Sequence, residues 1–91
     1  MIISFKCSDT EALANGYRIP RFVNIERVAQ RKLRQLKVSE QLSDLKIPPG
    51  NHLESLKGNR DGQFSIRIND QFRICFRWTI GAEDVEIVDY H

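Results

Sequence analysis

"FSIRINDQFRICFRW", residues 64–78, decides how this chain folds. Successive side chains of a strand point to opposite faces of its sheet. Read with that period, Phe64, Ile66 and Ile68 fall on one face and Ser65, Arg67 and Asn69 on the other. Asn69 and Asp70 then interrupt the pattern, and both are residue types that turn a chain. Beyond them Phe72, Ile74, Phe76 and Trp78 share one face, while Arg73, Cys75 and Arg77 share the other. The stretch predicts two antiparallel strands with one apolar face to be covered and one face of arginines.

Downstream, "IGAED" reads as a turn and "VEIVDY" as the last strand. Upstream, "HLESLK", residues 52–57, reads as a short strand, and by parity Lys57 joins the arginine face. "PPGN", residues 48–51, breaks the chain. The main helix is expected over 25–38, capped by Asn24, with Ile25, Val28, Ala29, Leu33 and Leu36 on its buried stripe. "SEQLSDL" continues as a second short helix capped by Ser39. "YRIPRF" is a connector, since proline lacks an N–H and restricts its neighbour. Ser8 or Asp9 can cap an earlier short helix that stops at Asn15-Gly16. "MIISFK" reads as a strand that joins the sheet. The expectation is one α+β domain over 1–91, with N-terminal helices packed on one face of a small, mainly antiparallel sheet.

The 91 residues are 41% hydrophobic, which suits one globular domain and argues against wholesale disorder. The start has no signal-peptide pattern and no apolar run reaches membrane-spanning length. The expected setting is therefore cytoplasmic, with no membrane partner. Cys7 and Cys75 form no CxxC pair and read as small buried hydrophobes.

A net charge of +2 conceals segregation. Residues 18–37 hold seven basic residues and one acid, and residues 83–89 hold four acids and no base. Arg27, Arg31 and Arg34 lie on the solvent side of the expected main helix. Segregated positive charge suits a polyanionic partner.

The two histidines, His52 and His91, have no metal-ligand spacing, and phosphate-cradling glycine loops and a serine elbow are absent. No metal or cofactor is expected. Metal-free phosphodiester chemistry remains, because RNA carries its own nucleophile in the 2′-hydroxyl. Such an enzyme needs a base for that hydroxyl, positive charge for the crowded phosphate and an acid for the departing oxygen. Lys57, Arg73, Asp89, Tyr90 and His91 supply those types. An imidazole titrates near ~6.5 and serves as acid or base. The same residues also admit a plainer reading: Arg73 paired across strands with Asp89 or Glu86, Lys57 as an ordinary turn lysine, and the terminus as a solvated tail.

"PPGNHLESLKGNRDGQFSIRINDQFRICFRW", residues 48–78, and "VEIVDYH", residues 85–91, closely resemble the HigB-type toxins of the RelE superfamily, the plasmid-maintenance killer family. "VAQRKLRQL", residues 28–36, fits less specifically. The resemblance implies a ribosome-dependent mRNA endonuclease that inhibits translation and growth. It also implies a HigA-type helix-turn-helix antitoxin as partner, with operator DNA reached only through that antitoxin. Carried onto this sequence, Lys57 contacts the scissile region, Arg73 stabilises the phosphate, and Asp89, Tyr90 and His91 form the catalytic run. Arg60, Arg67 and Arg77 are expected to touch RNA or ribosome, and Arg27, Arg31 and Arg34 to dock on ribosomal RNA. Glu54 stands where some members carry a histidine, and His52, where close relatives often have arginine, is left outside the catalytic set. The competing function is a non-catalytic toxin or binding module, either a gyrase inhibitor of the ParE branch or a co-repressor with its antitoxin.

Overall fold

The computed structural model describes residues 1–90. Helix α1, Ser8–Ala14, is followed by a 3₁₀ segment, Pro20–Ile25, and helix α2, Glu26–Val38. Two further 3₁₀ turns, Leu42–Lys46 and Pro49–Asn51, lead to strand β1, Glu54–Ser55. A last 3₁₀ turn, Gly58–Arg60, precedes β2, Phe64–Arg67, β3, Phe72–Trp78, and β4, Ala82–Asp89. The four strands pair antiparallel in sequence order. Two helices thus pack on a four-stranded sheet, the α+β architecture the alternation predicts.

The apolar face forms the core. Ile66, Ile74 and Phe76 are fully buried against Leu13, Phe22, Ala29, Leu33 and Leu36, with Phe64, Phe72 and Trp78 packed at its margin. Phe22 meets Phe72 edge-on at 6.2 Å between ring centroids, a favoured arrangement for aromatic quadrupoles. The Asn69 carboxamide makes the β2–β3 turn by accepting from the N–H groups of Gln71 and Phe72 at 2.9 and 2.7 Å.

Several local expectations are corrected. The N-terminal segment joins the sheet only through isolated parallel bridges, Ile2 with Ala82 and Phe5 with Val85. Gly81 makes that approach possible, because a Cβ there would lie 2.6 Å from the Met1 carbonyl oxygen. Asn24 falls inside a 3₁₀ segment and does not cap α2, whose first flanking residue is Ile25. Ser39 closes α2 instead of opening a helix, its Oγ donating to the Gln35 carbonyl at 2.7 Å. The following 3₁₀ turn is capped by Gln41 and Asp44, a reciprocal box that satisfies otherwise orphaned N–H groups.

Lys32, one of the seven basic residues between positions 18 and 37, is buried, its Nζ donating to Asn51 Oδ1. Burial, with Arg31 and Arg67 nearby, holds its ammonium below the ordinary lysine range. Cys75 is buried as expected, whereas Cys7 is only half-buried; both thiols are free.

Candidate functional site

Register places the functional side chains. Ser65 opposes Cys75, Arg67 opposes Arg73, and Cys75 opposes Glu86, all on the face turned away from the helices. An extra residue in β4 bulges the ladder between Cys75 and Arg77, and Asp84 there has φ 54°. Arg77 opposes Glu83 beyond the bulge. The predicted arginine face therefore exists, with Arg60 added from the turn before β2.

Arg73 is the best-held member. Its Nε donates to Ser65 Oγ at 2.7 Å and its Nη2 to the His52 carbonyl at 2.6 Å. Its side chain is 12% exposed, and Glu54 Oε1 lies 3.9 Å from Nη2. Both close acceptors are neutral, and the one ion pair among the described residues, to Glu54, is long and its carboxylate well exposed, so the charge is only weakly answered within the chain. Nη1 has no partner among the described residues, which leaves a donor for an outside anion.

Arg60 is held differently. Its Nη1 donates to Glu86 Oε1 at 2.9 Å and to Gln63 Oε1 at 3.1 Å. The Glu86 carboxylate raises the guanidinium above its ordinary range against the opposing effect of burial, helped by Cys75 and Tyr90. Lys6 Nζ stands 4.0 Å from the same carboxylate. Burial pushes the Cys75 thiol up, which keeps it protonated and chemically quiet.

The last residues split between faces. Asp89 opposes Phe72 and so shares the parity of Ile87 and the helix side, with its Oδ2 accepting from Gln71 Nε2 at 3.0 Å. Tyr90 shares the parity of Val88, which opposes Arg73. Its N–H donates to the Gln71 carbonyl at 2.6 Å, and its side chain is 40% exposed. Among the described members of the expected catalytic run, Tyr90 is the one on the arginine face. His91 lies outside the described residues.

Lys57 does not reach that face by strand parity. β1 ends at Ser55, its register puts Glu54 opposite Ser65, and Lys57 flanks the 3₁₀ turn as an exposed residue. Arg67 pairs with Asp70, and Arg77 Nε lies 3.9 Å from Asp84 Oδ2. Arg27, Arg31 and Arg34 are exposed on α2. Sequence reading puts Ser65 on this face without a role and offers Glu86 to Arg73, whereas Glu86 holds Arg60 and Ser65 holds Arg73. It misses the His52 carbonyl, since nothing in the sequence announces a main-chain acceptor.

Among the described residues no group of three His, Cys, Asp or Glu side chains could hold a metal ion, and no helix is long and apolar enough to cross a membrane.

Residues 15–91 match the family described as the RelE-like toxin of the type II toxin-antitoxin system HigB. Toxin HigB-1 of Vibrio cholerae is 44% identical over 68 residues, which cover 75% of this chain and 72% of that protein. An uncharacterised protein of Haemophilus influenzae is 40% identical over 55 residues, covering 60% of this chain and 54% of its own length. By family match and identity alike, the chain belongs to the HigB-like toxins, RelE-like toxins of type II toxin-antitoxin systems.

Proposed function

We propose that the chain is a ribosome-dependent endoribonuclease that cuts mRNA during translation and is neutralised by a HigA-type antitoxin. The observation that carries this reading is Arg73, a nearly buried guanidinium held only by neutral close acceptors on the face that also bears Tyr90. A fixed guanidinium whose ion pair, to Glu54, is long and exposed suits a phosphate that gains negative charge in its transition state.

In the proposed reaction a 2′-hydroxyl loses its proton to a base and its oxygen attacks the adjacent phosphorus. The bond from phosphorus to the 5′-oxygen breaks, and that oxygen takes a proton from an acid. The products are a 2′,3′-cyclic phosphate and a 5′-hydroxyl. Arg73 stabilises the crowded phosphate. Tyr90 and His91 carry the protons, and Lys57 approaches the scissile region from the turn. Asp89 acts at the strand end through Gln71 and does not touch the phosphate. Arg27, Arg31 and Arg34 dock helix α2 on ribosomal RNA, with affinity that falls as salt rises.

The test is a reconstituted translation reaction with end-labelled mRNA. Cleavage with cyclic-phosphate and 5′-hydroxyl ends is expected only when ribosomes engage the message, and is lost from a chain lacking Tyr90 and His91. Equal cleavage of free mRNA removes the ribosome from the reading; growth arrest without any cut message favours a non-catalytic toxin.

A further inference from the structure

Asn51 is fully buried although it closes a proline-glycine turn. Its Nδ2 donates to Gln35 Oε1 at 3.0 Å, to the Leu45 carbonyl at 3.1 Å and to the Ile47 carbonyl at 3.4 Å. Its Oδ1 accepts from the buried Lys32 ammonium. The carboxamide therefore ties the turn to two residues of α2. A buried amide satisfied on this scale specifies position, because each bond is costly to leave unmade.

The next residue is His52, in the left-handed conformation at φ 44° and ψ 57°. That conformation is unfavourable for a residue with a Cβ, so it persists only where its surroundings impose it. Its N–H donates to the Pro49 carbonyl at 3.0 Å, and its own carbonyl accepts from Arg73 Nη2 at 2.6 Å. The path runs from α2 through Asn51 and the His52 carbonyl to the Arg73 guanidinium.

We propose that Asn51 is a positioning residue for Arg73, acting through the main-chain carbonyl of His52. The inference rests on Arg73 being the group that binds the phosphate. It assigns position 52 a backbone contribution to the site, with no part for the imidazole.

The experiment measures hydrogen exchange of the arginine Nη–H groups by ¹⁵N NMR, alongside cleavage kinetics in the translation reaction. In folded Asn51→Ala, exchange of the Arg73 Nη2–H that meets the His52 carbonyl should rise about fivefold, the effect of losing roughly one hydrogen bond. The kcat should fall about 10²-fold through misplacement of the guanidinium, with KM unchanged. Asn51→Ala should cost nothing further in an Arg73→Lys background, as expected of groups acting as a unit. Unchanged Arg73 exchange, or losses that multiply in the double variant, overturns the proposal. His52→Val guards against a failure of Asn51→Ala to fold, since His52 is exposed. A β-branched residue fits the left-handed conformation badly, whereas glycine fits it well. His52→Val should therefore speed Arg73 exchange more than His52→Gly; equal effects, or none, overturn the proposal. If the intact chain cuts no RNA, the functional reading fails, and the exchange rates still decide whether Asn51 orders Arg73.

Discussion

Arg60 and Arg73 lie on the same face of the same sheet, yet their surroundings leave them with different charges to offer. Arg60 is answered by a carboxylate, Glu86, which is itself 17% exposed and also faces Lys6. Its charge is cancelled within the chain. Arg73 is answered by a hydroxyl and a carbonyl, and the nearest carboxylate, Glu54, is 3.9 Å away and well exposed to screening water. Arg67 stands directly across from Arg73 on β2 and is answered by its own carboxylate, Asp70. A count of arginines on a face therefore does not find an anion site; the acceptors that satisfy each one do.

The contrast breaks if the two arginines respond alike. Arg73→Ala should reduce cleavage by about 10²–10³-fold, the usual loss on removing one preorganised donor. Growth inhibition should disappear while antitoxin binding persists, checked by co-purification. Tyr90→Phe should cost about 10²-fold in kcat if the phenol moves a proton, measured in the same reaction. Arg60→Ala should instead cost about 1–3 kcal/mol of stability by urea unfolding, with much less effect on cleavage. Glu86→Gln sharpens the comparison: releasing Arg60 from its counter-ion should steepen the salt dependence of RNA binding by roughly one phosphate contact.

The arginine face is legible in the sequence, whereas the acceptors that set Arg60 and Arg73 apart are not. The alternation in β2 and β3 placed Arg67, Arg73 and Arg77 on one face and the core residues on the other, because both strands are continuous and their parity runs unbroken through these positions. Lys57 was misplaced because "HLESLK" is a strand for two residues only, and parity does not cross a 3₁₀ turn. Asp89 and Tyr90 were grouped as neighbours in sequence, although neighbours on a strand face opposite ways. Lys32 looked like a solvent lysine until Asn51, nineteen positions away, supplied its buried acceptor.

That lysine gives the smallest expected effect. Its folded-state value lies below the ordinary lysine value of 10.5. Between those two values the unfolded chain binds more protons than the folded one, so stability should rise with pH across that interval. Lys32→Met should remove that rise, seen by comparing urea unfolding of the two chains at mildly and strongly alkaline pH. A rise of the same size in both chains assigns the effect to other groups.

The most direct test of Arg73 as the centre of the site is mapping mRNA 5′ ends shortly after inducing the intact chain, Arg73→Ala and Arg60→Ala at equal protein levels. The account predicts new 5′-hydroxyl ends within translated messages for the intact chain and for Arg60→Ala, and none above background for Arg73→Ala. Equal ends from Arg73→Ala, or ends lost only from Arg60→Ala, would contradict it.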